Sequence, residues 1–301
     1  VINSRGGGLG VVALSVMAGI AHAQTTVTLT PSKDTTLFEM AGWPDLGSGG
    51  GELFAGGIAQ QNEFGNAYKR RALLRFDVSG IPANAVITSA TLRVRVTKTI
   101  SGTYTFCLYR MLADWGEGPS NSATEGTGVP AQVGDATWNY RFFGTPSTAW
   151  INKGGDFSNV VSGTANMGGV GPYTFTGSIM GSDVQGWVNG TKPNYGWMMT
   201  SELEFLTSIA KRISSRESSA ANRPLLIVTY TLPPPPTCGT SDFNGDGDFG
   251  TDADIEAFFA CLGGNCCATC WQNGADFNGD GDVGDDADIE AFFRVLAGGT
   301  C

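Results

Sequence analysis

Histidine is almost absent: His22 is the only one in 301 residues, and it falls in a segment that reads as a removable leader. The rest of the chain has no imidazole for a Ser-His-Asp triad, a Cys-His pair or a His-ligated zinc ion. Positive charge is also scarce, with Lys+Arg 18 against Asp+Glu 28 and a formal net charge of −10. That excludes a nucleic-acid backbone as partner, because phosphate binding needs a basic face. Charged residues make up only 15% of the chain, below the usual ~25%. Long apolar runs are missing too. The stretch from Leu9 to Ile20 falls short of the ~20 residues of a transmembrane helix, and no other segment reads as a span.

Glycine is abundant instead, at 44 residues, about twice the average share of ~7%. Hydrophobic residues at 41% suffice for a packed core. Residues 1–23 read as a secretory signal: Arg5 gives a weak basic start, Leu9–Ile20 the apolar stretch, and Ala21-His22-Ala23 the small-x-small cleavage site before Gln24. The cysteines agree with an oxidising destination. Cys107 stands alone, whereas Cys238, Cys261, Cys266, Cys267, Cys270 and Cys301 crowd the C-terminal end. The Cys267–Cys270 pair also fits thiol chemistry or a Cys-only zinc site, but small secreted modules use cysteine as covalent staples. Sequence alone does not choose the pairing. For Cys107 the choice is between a buried thiol and an intermolecular bridge.

Pro233-Pro234-Pro235-Pro236 forms a semi-rigid spacer of about 12 Å at ~3.1 Å per residue. It divides a large region, 24–232, from a small acidic one, 237–301. The large region reads as all-β. In Ala90–Val96, residues Leu92, Val94 and Val96 share one face and Arg93 and Arg95 the other. Residues 72–76, 103–109, 173–176 and 225–230 are further strands, separated in places by glycine-rich loops. One helical turn is expected near Ser182–Val188. Such a region fits one jelly-roll-type β-sandwich. The opening segment 25–30, Thr-Thr-Val-Thr-Leu-Thr, is a strand at a free end, able to pair at home or with a neighbour.

An ordered series of short motifs runs through this region: Arg70-Arg-Ala-Leu-Leu-Arg-Phe-Asp77, Ile81-Pro82, Ile87–Arg93, Asp114-Trp-Gly-Glu-Gly118, Thr137-Trp138, Gly154-Gly-Asp156, Val184-Gln-Gly-Trp187, Asn194-Tyr-Gly-Trp197, Ser215-Arg-Glu217 and Arg223-Pro224. The series resembles the disaggregatase-related (DNRLRE) β-sandwich family across the whole region. The resemblance implies an extracellular, non-catalytic module, with carbohydrate binding in some members. It also implies that Trp187 and Trp197 belong to the framework.

The small region repeats itself. Asp242–Phe259 recurs as Asp276–Phe293, identical at 16 of 18 positions. Each copy opens Asp-x-Asn-x-Asp-Gly, the start of an EF-hand calcium loop. Asp242, Asn244, Asp246 and Asp248, and likewise Asp276, Asn278, Asp280 and Asp282, aim hard oxygens into one turn, with Gly247 or Gly281 at the bend. The closing acid expected at loop position 12 is Ala253 or Ala287. A one-residue insertion then makes Asp254 and Asp288 the closing ligands, and Asp252 and Asp286 the helix N-caps. Two Ca2+ sites are expected. The paired loops, one short helix each, resemble the dockerin fold, which implies a cohesin-type partner. The positions that would read that partner hold Thr251-Asp252 and Asp285-Asp286, and six cysteines depart from the family's pattern.

Catalysis would need a carboxylate pair, and the candidates are Asp114 with Glu117 or Asp156 with Asp183. Surface acids are common, and the chain reads as a non-enzyme. The leading expectation is a secreted structural protein of the cell surface or extracellular matrix. In that reading it is a fibre subunit that associates with copies of itself or with another surface protein. The alternative is a carbohydrate-binding module carried by a dockerin-like tag, with polysaccharide stacking on Trp43, Trp115 or Trp150. These three have Gly, Pro, Asp or Ala neighbours and are expected to be exposed.

Overall fold

The computed structural model describes residues 24–41, 45–100, 102–144, 146–233 and 238–301. The expected leader 1–23, Trp43 and three of the four linker prolines lie outside the described residues. Two compact units divide between Leu232 and Pro233.

In chain order the first unit carries β1 (Gln24–Leu29), β2 (Pro31–Phe38), β3 (Leu46–Gly47), β4 (Leu53–Gln61) and β5 (Ala67–Phe76). Next come β6 (Val86–Thr99), β7 (Tyr104–Met111), β8 (Val129–Pro130), β9 (Tyr140–Phe142) and β10 (Thr148–Ala149). The unit ends with β11 (Phe157–Met167), β12 (Gly171–Phe175), α1 (Ser178–Val188), β13 (Trp197–Ser201), β14 (Lys211–Ile213) and β15 (Leu225–Thr231). Nine strands follow one hydrogen-bonded path, β1-β15-β6-β14-β4-β5-β13-β7-β11, with β12 on β6 and β2 on β5. All pairings are antiparallel.

The sheet curls because single strands serve two neighbours in succession. β6 pairs β15 through Val86–Arg93 and β14 through Val96–Thr99. β4 pairs β14 through Leu53–Ala55 and then β5 from Gly56 onward. Gly56 sits at φ 102, where a side chain would be strained. A lone bridge between Thr164 and Thr176 brings β11 round toward the end of β12. One core fills the inside, drawing Leu74 and Phe76 from β5, Leu92 and Val94 from β6, Phe106 from β7 and Leu226 from β15. The alternation expected over Leu92, Val94 and Val96 is the buried face of β6. The fold is thus mainly β, a curled open sheet.

The helix expected as a single turn is longer. It spans 11 residues and buries Met180, Val184 and Trp187, a 4-then-3 spacing that keeps one face on the core. Its first turn was hidden by Gly181, which lowers helix propensity.

The second unit has α2 (Asp252–Leu262) and α3 (Asp286–Leu296). Its core is made by the repeat itself: Phe243 and Phe277 from the loops, Phe258 and Phe292 from the helices, all without exposed surface. Phe258 and Phe292 stack at 4.1 Å between centroids, and Phe243 meets Phe258 edge-on at 5.4 Å. Three disulfides close the unit: Cys238–Cys301, Cys261–Cys266 and Cys267–Cys270. Among the described residues no helix is long and apolar enough to cross a membrane.

Candidate metal centres

The two repeated loops fold round their own acids. In the first, Asp242 Oδ1 accepts from the backbone N–H of Gly245 (2.9 Å) and Asp246 (3.1 Å), and its Oδ2 from Gly247 (3.1 Å). Asn244 Oδ1 accepts from Asp246 N–H, and Asp246 Oδ1 from Asp248 N–H, each at 2.9 Å. The turn requires Gly247, whose φ of 95 favours glycine. Asn278, Asp280 and Asp282 repeat the last two bonds at 2.8 and 2.9 Å. Asp242, Asn244 and Asp246 are thereby held on one turn. In the second loop Asp276 Oδ1 is enclosed without a hydrogen-bond partner. A buried carboxylate oxygen left so has lost water and gained no partner, and a cation would supply one. The donor set, carboxylates and an amide, is the hard-oxygen set that calcium takes.

Asp254 and Asp288, expected as closing ligands, are buried and accept hydrogen bonds from the backbone of their own loops. Asp254 is fully buried. Its Oδ1 accepts from the N–H of Phe243 (2.8 Å) and Asn244 (3.2 Å), and its Oδ2 from the N–H and hydroxyl of Thr251 (2.8 and 2.9 Å). Burial pushes this carboxyl up, but the bonds from Thr251, Asn244 and Phe243 outweigh it and hold it below the ordinary carboxylate range. Asp288 accepts from the N–H of Asn278, Gly284 and Asp285. Both are the third helical residues of capping boxes. The N-caps are Thr251 and Asp285, which corrects the expectation of Asp252 and Asp286 by one residue. The reason is that the box needs an acid three positions after the cap, and only 254 and 288 satisfy both partners.

Of the three tryptophans expected at the surface, the two among the described residues are inside. Trp115 has no exposed surface and Trp150 has 5%. Their indole N–H groups donate to the carbonyls of Tyr195 and Thr137, both at 2.9 Å, and they pack with Leu37, Leu73, Met111 and Met198 in a second cluster. Their small and polar sequence neighbours mark a loop, but that loop folds back over the sheet. Trp187 and Trp197 are also buried, 4.5 Å between ring centroids.

The carboxylate pairs weighed for catalysis are each engaged elsewhere. Asp114 pairs with Lys33 at 2.8 Å, and Glu117 with Arg216 at 2.6 Å. Asp156 accepts from the N–H of Ile151 and Asn152. Asp183 takes Arg110 at 3.1 Å, the hydroxyl of Ser162 and the indole of Trp197. Cys107 is buried with its thiol free, which removes it as an intermolecular bridge.

One group was not foreseen. Asp34, Glu117 and Glu217 bring carboxylate oxygens within 4.8 Å of one another, close enough to coordinate one metal ion. Burial, then the charge of Glu217, pushes the Asp34 carboxyl well above the ordinary range. No short-range spacing announces this group, since its members come from distant parts of the chain.

Comparison with protein-family models finds no match for this chain, and comparison with curated proteins finds no relative.

Proposed function

We propose that the chain is a secreted, non-catalytic structural protein of the cell surface or extracellular matrix, a self-associating fibre subunit with a calcium-stabilised C-terminal module. In this reading the curled sheet is a jelly-roll-type sandwich of DNRLRE type, and the second unit is a dockerin-like pair of EF-hand loops with two Ca2+ sites. The observation that carries self-association is the edge at β1. Its six residues pair β15 along their whole length, and among the described residues no strand covers its other side. Three of its six residues are threonine, and Thr26 meets Thr229 at 3.0 Å on the exposed face. Such an edge is a template for a neighbour's strand. The opposite end of the path is β11, where Val160 is half exposed. Joining unlike ends gives open, head-to-tail growth. The three disulfides support the oxidising setting of this reading. Removing residues 24–29 is expected to abolish polymers, read by light scattering, while the chain stays folded. Unchanged polymerisation contradicts the edge as the contact.

A cleft favours the second reading, carbohydrate binding. It has a volume of about 700 Å³ and is lined in part by Phe64, Tyr68, Trp138, Asp45, Asn62 and Asn139. Phe64 is 79% exposed. Aromatic faces beside amides and a carboxylate suit a sugar ring. Phe64→Ala is expected to lower polysaccharide retention on an affinity gel, and equal retention removes this reading of the cleft.

A further inference from the structure

Three segments remote in sequence meet at the acidic group of the first unit. Asp34 lies on β2, Glu117 between β7 and β8, and Glu217 between β14 and β15. Their oxygens lie within 4.8 Å of one another, and at ~2.4 Å per Ca–O bond the opposite ligands of one calcium ion are ~4.8 Å apart. The group is held by its own scaffold. Asp34 N–H donates to Glu117 Oε1 at 2.8 Å, and Arg216 N–H donates to Asp34 Oδ2 at 2.8 Å. A Cβ on Gly49 would come within 2.3 Å of the Glu117 carbonyl, so only glycine lets the Glu117 backbone sit where it does.

Asp34 has no exposed surface, and its Oδ1 is enclosed with no hydrogen-bond partner. A cation seated among the three carboxylates would give that oxygen a partner. The charges point the same way. Arg216 contacts Glu117 at 2.6 Å and Glu217 at 2.9 Å, so one guanidinium is shared by two carboxylates and Asp34 receives only the Arg216 backbone N–H. The neighbouring Lys33 is paired with Asp114 at 2.8 Å. Carboxylate oxygens alone are hard ligands, suited to calcium or magnesium and not to zinc or copper.

We propose that Asp34, Glu117 and Glu217 bind one calcium ion, separate from the two loop sites, which ties β2 to the loops that precede β8 and β15. The test is native mass spectrometry of the full chain, stripped with chelator and reloaded with calcium. It is run beside Glu217→Ala, Asp34→Asn and the loop variant Asp242→Ala/Asp276→Ala. The expected result is one calcium fewer in Glu217→Ala and in Asp34→Asn, with one calcium retained in the loop variant. A Glu217→Ala chain that holds as many ions as the parent overturns the proposal, as does a loop variant that holds none. Glu217 is partly exposed, so its variant decides the matter even where Asp34→Asn fails to fold. A parent holding a single ion that the loop variant keeps would instead remove the calcium module and leave this site standing.

Discussion

Arg71 and Glu204 show how the interior of the first unit is wired at the scale of single residues. Arg71 Nη2 and Nε reach Glu204 Oε1 and Oε2 at 2.6 and 3.1 Å, and Thr200 donates its hydroxyl to Oε2 at 2.5 Å. The guanidinium also lies 4.9 Å from the Trp138 ring. Burial pushes the Glu204 carboxyl up, but Arg71 and Thr200 outweigh it and hold it below the ordinary range. A depressed carboxylate adds stability above its unfolded pKa, and that stability is lost as pH falls through the folded value. Glu204→Ala is therefore expected to cost about 3 kcal/mol at neutral pH, because it strands a buried charge. Denaturant unfolding should show that difference shrinking below pH ~4, and an undiminished cost in acid contradicts the assignment. This pair was only partly legible: Arg71 and Glu204 were not linked in the sequence, where 133 positions separate them. The same distance in sequence hid the Asp34, Glu117 and Glu217 group. Trp115 and Trp150 misled for a related reason, since the residues that bury them, such as Leu37 and Met198, are far along the chain.

At the scale of elements, legibility followed periodicity. β6 was plain because its two faces differ in polarity. β13 was silent because all five of its residues are buried, so nothing alternates. β2 holds Asp34, Thr35 and Thr36 inside, against the usual polar-out rule, and β4 carries two glycines. The acidic loops and their helices were legible because the chain states them twice. Their caps lie at Thr251 and Asp285, one position before those expected. The repeat also makes an element-scale prediction. Phe292 stacks on Phe258 in the centre, whereas Phe293 is 45% exposed. Phe292→Ala should cost the second unit about 3–5 kcal/mol, measured by thermal or denaturant unfolding, and Phe293→Ala much less. Equal costs would mean that the four phenylalanines are not its core.

The chain joins a curled β unit, whose β1 edge carries no further strand among the described residues, to a small unit stapled by three disulfides. The boundary at Leu232 and Pro233 coincides with the proline run, a feature that composition alone marks. How the sheet curls was not legible, because it depends on β4 and β6 changing partners midway. In the proposed reading the β unit supplies polymer contacts, and calcium keeps the small unit rigid. Metal removal should relax the loops, since the carboxylates of Asp242 and Asp246 then repel without a counter-charge. The most direct test is negative-stain electron microscopy of the chain from Gln24 onward, first in calcium and then in chelator. The account predicts ordered filaments in calcium that shorten or dissolve in chelator. Discrete single particles under both conditions would contradict it.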